Sequence, residues 1–206
     1  GNNQVQASLV AVPAQNVTFN FTGAAGPLDL VASTVDTASP SLAADGNQTS
    51  LITFTARDSY GNAIGAPASG ATVIFTPDIG TMDATVTDNL DGTYTQNYRS
   101  PITTGVATIT ATHDASAVTD NAIISLVSGA YSAANSLVTA SITSMQADGV
   151  TTSLITVTLN DVLGNQVSSG GESVVISTTD GVLLGSVFDN GDGTYTQLLQ
   201  SDTSKG

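Results

Sequence analysis

The stretch "ADGNQTSLITFTARDSYGN", Ala44 to Asn62, decides the fold, because the chain says it twice. It returns as "ADGVTTSLITVTLNDVLGN", Ala147 to Asn165, with Asp45 mapping onto Asp148 at an offset of 103 residues. Inside the block, Ile52, Phe54 and Ala56 fall on one side of an extended chain, and Thr53 and Thr55 on the other. Ile155, Val157 and Leu159 repeat that alternation in the copy. A period of two is the pattern of a strand with one face against a core.

Outward from this block the repetition continues. "DGTYTQ" begins at Asp91 and again at Asp192, an offset of 101, so two residues are lost in between, in the loop around "GAPASGA". "ATVIFT" and "SVVIST" are more continuously apolar, with Val73/Phe75 and Val174/Ile176 as the expected inward pairs. "GVATITA" places Ala107, Ile109 and Ala111 on one side. Turn words such as "DSYGN", "DVLGN", "DNLDG" and "DNGDG" separate these runs, and no stretch carries a helical period. A repeat near 100 residues has the size of one immunoglobulin-like sandwich. The expected fold is all-β: tandem immunoglobulin-like β-sandwiches in an extended row.

The two ends complement each other. Residues 1–27 open like the end of a unit: "VQASLVA" sets Val5, Ala7, Leu9 and Ala11 on one face, as "GVATITA" does with Gly105, Ala107, Ile109 and Ala111. "NVTFNFTG", with Val17, Phe19 and Phe21 alternating, stands where "NAIISLVSG" closes the first full repeat. Residues 28–129 then read as a complete sandwich, and 130–206 as a sandwich lacking its last strands. Such a unit exposes unpaired backbone groups beside an apolar groove, which soluble proteins cover. Two isolated strands are no more stable alone. Three arrangements follow. The chain is an excerpt of a longer tandem array; or it is a fibre subunit whose residues 1–23 complete its neighbour by strand addition, head-to-tail and non-closing; or 1–23 folds back onto 130–206. The expected partners are identical subunits or neighbouring repeats, with the seven alternating positions just named as the donor contact.

Composition removes several function classes. Three basic residues stand against 17 acidic ones, a formal charge of −14. Nucleic acid requires clustered cations, so it is not an expected partner. There are no cysteines, hence no disulfide framework, zinc–thiolate site or thiol catalysis. No run approaches the roughly 20 apolar residues of a spanning helix, and no direct membrane insertion is expected.

The "ADGxxTSLITxTxxDxxGN" block, followed by an apolar strand pair and "DGTYT", resembles the invasin/intimin type of bacterial immunoglobulin-like domain. The resemblance covers most of 28–206, twice. It implies a stalk or spacer segment of a bacterial surface adhesin, placed outside the cell. The "DNLDG" and "DNGDG" turns depart from the family's usual wording, and the "DGTYT" ending is also similar to filamin-type repeats. The receptor-binding tip of invasin-like proteins is a separate lectin-like domain that nothing here resembles.

Individual sites are sparse. Asp189, Asn190 and Asp192, with the weaker set Asp88 and Asp91, offer closely spaced oxygens suited to calcium; the same residues suit tight turns, as do Asp45 and Asp148. No other cofactor is expected. Asn16, Asn20 and Asn47 head N-x-Ser/Thr sequons; with Val17, Phe19 and Phe21 inward, Asn16 and Asn20 would point outward about 13 Å apart. Tyr94 and Tyr195, in "DGTY", read as core tyrosines whose hydroxyls tie a neighbouring loop. His113, the sole histidine, reads as a surface residue. No acid, base and nucleophile come together, so no enzyme is expected. The alternative to a stalk is an adhesive module recognising a host or carbohydrate ligand through loops such as 61–71.

Overall fold

The structure is a computed structural model that describes residues 2–8, 16–65 and 69–204; over 2–21 the description is of backbone pairing. No helix occurs among the described residues. Strands β1 (Asn2–Ser8) and β2 (Asn16–Thr22) form a two-stranded antiparallel sheet that pairs with no other strand among the described residues.

The middle unit follows. Its first sheet has the order β3-β5-β8-β7, from β3 (Thr34–Thr37), β5 (Thr49–Thr55), β7 (Thr81–Asp88) and β8 (Thr93–Arg99). In the second sheet, β9 (Gly105–His113) pairs with β6 (Val73–Pro77), with the short β10 (Ser116–Ala117) and with β11 (Ala122–Val127), which takes β4 (Ser41–Ala43) in parallel. The period-two pattern decides which faces meet. Ile52 and Phe54 of β5 lie opposite Gln96 and Tyr94 of β8, and Ile52, Phe54, Tyr94 and Tyr98 are buried against Val73, Phe75, Ala107, Ile109, Ala111 and Ile124 of the other sheet. The inward pair expected in "ATVIFT" is therefore in the core. Asp120, beyond β10, closes the two layers by accepting a hydrogen bond from Val35 N–H at 2.9 Å.

"DGTY" owes its wording to one close approach. Gly92 has a φ of +85°, and a Cβ there would strike the Ile64 carbonyl. Its own carbonyl accepts from Ala56 N–H, whose carbonyl accepts from Ile64 N–H. Gly193 does the same against Val167. The edge strand β7 is bulged between Asp83 and Thr87; Ala84 has φ 57° and its carbonyl takes the Gln96 amide at 2.8 Å. A bulge twists an edge away from further pairing.

The last unit repeats one layer. Strands β12 (Leu137–Ala140), β13 (Thr152–Thr158), β14 (Val182–Asp189) and β15 (Thr194–Gln200) form a sheet of order β12-β13-β15-β14, the order of the middle unit's first sheet. Registers correspond as well: Val138 lies opposite Val157 as Val35 lies opposite Phe54. The bulge recurs at Gly185, again tied by a glutamine, Gln197. No second sheet occurs in this unit among the described residues. Residues 174–178, "VVIST", are not a strand. The reason is visible in the middle unit, where β6 takes its ladder bonds from β9 and β4 from β11. Counterparts of β9 and β11 are absent from the described residues here, so neither 174–178 nor 144–146 is assigned a strand. Val174 and Ile176 are nonetheless half-buried while Val175 is exposed, so the alternation survives without its ladder.

Candidate assembly interface

The same residue types, on the same strands, have different surroundings in the two units. Val35 is 2% exposed and its counterpart Val138 is 69% exposed. Leu42 is buried and Met145 half-buried; Tyr98 is buried and Leu199 half-buried. Among the described residues of the last unit, Val157, Leu159 and Tyr195 form the buried apolar cluster, with Val167, Val174, Ile176 and Val187 packed beside it. An open groove of about 900 Å³ runs between Met145, Thr178, Leu199 and Thr203.

The hairpin's register can be set beside that of β9 and β11. Val5 lies opposite Phe19, Ala7 opposite Val17 and Asn3 opposite Phe21. In the middle unit Ala107 lies opposite Ile124, Ile109 opposite Ala122 and Gly105 opposite Leu126. With Phe19 matched to Ile124, Val5 corresponds to Ala107. The sequence alignment had set Val5 against Gly105, so the structure moves β1 by two residues. An even shift leaves the parity of the paired positions unchanged. Val5, Ala7, Val17 and Phe19, with Phe21 one pair further along, occupy one face of the ladder. Leu9 and Ala11 lie outside the described residues, and at Asn16 and Asn20 only the backbone pairing is described.

The joints between units depend on residues that sequence reading took only as turn formers. Asp161 in "DVLGN" accepts hydrogen bonds from Gly129 N–H at 3.0 Å, from Leu163 N–H and Asn165 N–H at 2.9 Å, and from the Asn165 side chain at 3.0 Å. Burial pushes its carboxyl up, but the Asn165 side chain and these N–H groups outweigh that, and it lies below the usual carboxylate range. Asn165 Nδ2 also donates to the Ile102 carbonyl of the middle unit at 3.0 Å. Asp58 in "DSYGN" is the counterpart: it accepts from Gly26 N–H at 2.8 Å, Tyr60 N–H at 3.0 Å, Asn62 N–H at 2.9 Å and the Asn62 side chain at 3.0 and 3.2 Å. Chiefly through the Asn62 side chain, then Gly26 N–H, its carboxyl is lowered to about 2. The recurrence of Asp and Asn four apart in both repeats was the available signal.

The remaining candidates are turn and core residues. Asp88 accepts from Gly70 N–H and Leu90 N–H, and Asp189 from Gly171 N–H and Gly191 N–H. Asp91 and Asp192 take the following threonine's hydroxyl and N–H, with the hydroxyl the larger cause of their lowered carboxyl pKa. Asn190 Nδ2 donates to Thr194 Oγ1. Asp45 and Asp148 hold the turns before β5 and β13 through backbone N–H groups, which depress both carboxyls. Among the described residues no three acidic or histidine side chains converge on a metal position. Asn47 is exposed, with its backbone N–H on Asp45. The Tyr94 hydroxyl accepts from Ala71 N–H and that of Tyr195 from Glu172 N–H. His113 corrects the expectation of a surface residue: it is buried, with its ring 5.8 Å from Phe54 and edge-on to Tyr94. It ends β9 on the same face as Ala111 and Ile109, so period two carries it inward.

A two-layered unit followed by one that repeats its first sheet in order and register defines an immunoglobulin-like tandem. The chain belongs to the invasin domain 3 family, whose model matches residues 29–129 and 132–206. Among solved structures it is similar to invasin, described as a bacterial integrin-binding protein, at 26% identity and a TM-score of 0.63, over 99% of this chain and 40% of that one. It is also similar to Yersinia pseudotuberculosis InvD, at 30% identity and a TM-score of 0.65, over 85% of this chain and 50% of that one. The Escherichia coli adhesin FdeC shares the fold, at 23% identity and a TM-score of 0.52, over 100% of this chain and 67% of that one. The chain thus spans half or less of invasin and InvD. These relatives are invasins and adhesins, not enzymes.

Proposed function

We propose that the chain is a structural segment of a bacterial surface adhesin or extracellular fibre, lying outside the cell and assembling head-to-tail. In this reading the β1–β2 hairpin of one copy, or of the following repeat, supplies the second layer of the last unit before it. The observation that carries it is the match between two registers: β1–β2 pairs as β9–β11 pairs, and the last unit's apolar face is open where β9 and β11 would lie. Strand addition would give 174–178 and 144–146 their ladder partners and cover Val138, Met145 and Leu199. The membership in the invasin family supports the surface location and the stalk role. No observation favours a ligand-binding loop: among the described residues Tyr60, just before 61–71, is a lone exposed aromatic, and 66–68 of that loop lie outside the described residues.

Sedimentation and electron microscopy of the full chain, beside one lacking residues 1–23, test the assembly. Filaments from the full chain and none from the shortened one are expected. Filaments that persist without 1–23 refute the donor role. Soluble monomers of the full chain refute exchange between separate copies and leave only covalently linked repeats.

A further inference from the structure

The two joints are built alike but are not equally occupied. At the internal joint, Asn165 divides its amide between Asp161 and the Ile102 carbonyl, which follows β8 in the preceding unit. At the pole where residues 23–27 enter the middle unit, Asn62 places both Nδ2 contacts on its own Asp58. Asp58 already holds Gly26 N–H as Asp161 holds Gly129 N–H. Gly26 and Asn62 each stand 103 residues before their counterparts, Gly129 and Asn165. The counterpart of Ile102, at the offset of 101 shown by Tyr94 and Tyr195, is Thr203. Both contacts run from one nitrogen to the two oxygens of one carboxylate, so a single N–H of Asn62 serves them, and the second N–H can donate to a carbonyl without that bond being given up.

We infer that Asp58 and Asn62 form a docking joint for the preceding copy of this chain, in which Asn62 Nδ2 donates to that copy's Thr203 carbonyl. The partner is thereby defined chemically: a main-chain carbonyl in the loop after β15, presented by a second unit already completed by this copy's hairpin. The inference rests on the assembly proposed above. Strand addition supplies the affinity, and this joint fixes the angle at which one unit meets the next. An amide–carbonyl bond at each boundary would make the outer joint as rigid as the internal one.

A tandem in which Gly206 of one copy is followed by Gln4 of the next tests this, since that spacing reproduces Gly105 followed by Val106. The chain has no cysteine, so cysteines placed at the exposed positions Asn97 and Leu198 carry spin labels cleanly. Label distances are measured across the outer joint, from Leu198 of the first copy to Asn97 of the second, and across the internal joint of a single chain. Both distributions are expected to be narrow. N62A should broaden the outer one alone, and N165A the internal one alone, with β5 and β9 amide protection showing that the middle unit stays folded. An outer distribution unchanged by N62A, with the first copy's last unit protected, overturns the joint but leaves the strand addition standing. An outer distribution already broad in the unaltered tandem, with 174–178 of the first copy unprotected, overturns both.

Discussion

Val35 and Val138 are one residue in two environments. Deleting two methyl groups from buried Val35 should cost the middle unit about 2 kcal/mol, from lost burial and the cavity left behind. V138A should change the stability of the single chain by no more than about 0.5 kcal/mol, as at exposed positions. Differential scanning calorimetry of the two variants checks this, and once a second layer is in place V138A should cost as much as V35A. Asp58 gives a pH prediction. Its folded carboxyl pKa of about 2 lies below the ordinary aspartate value of about 3.9. The stability it contributes is therefore complete above about pH 4 and is lost as pH falls towards 2. Protonation also relieves repulsion among the 17 acidic residues, which acts in the opposite direction. The difference between wild type and D58N isolates the Asp58 contribution: the two melting curves should converge as pH is lowered from 4 to 2, and a constant gap would contradict the assignment. His113 shows where residue-level reading fails. A polar side chain ending a strand looks exposed until the period of two is carried through to it.

At the scale of elements, the strand alternation was readable because burial of one face imposes it. Ile52, Phe54, Val73 and Phe75 sit where the pattern puts them. "VVIST" carries the same pattern and is no strand, because a strand is a relation to a neighbour and no ladder partner for it occurs among the described residues. The hairpin's register is not legible in the sequence. Parity fixes a face, whereas register needs the pairing of Val5 with Phe19. The joint was least accessible: Asp58 and Asp161 act on Gly26 and Gly129, each 32 residues away, through contacts that no local turn word announces. Gly92 supplies the prediction at this scale. G92A combines strain at a φ of +85° with a collision against the Ile64 carbonyl, and should destabilise the middle unit by roughly 1–3 kcal/mol. Urea unfolding with an unchanged slope would measure it, and a neutral result would mean that the 56–65 loop yields freely.

The whole molecule divides into layers: one unit with two, one with a single layer among the described residues, and a hairpin that pairs there only with itself. Its physical claim is that the hairpin and the single layer are parts of one sandwich divided between neighbours. Amide hydrogen exchange at residues 174–178 measures this directly, in the single chain at low concentration and in the first copy of the tandem joined from Gly206 to Gln4. The account predicts rapid exchange in the former and, in the latter, protection matching that of β6, residues 73–77. Equal and rapid exchange in both, with β9 and β11 of the same molecules protected, would contradict it.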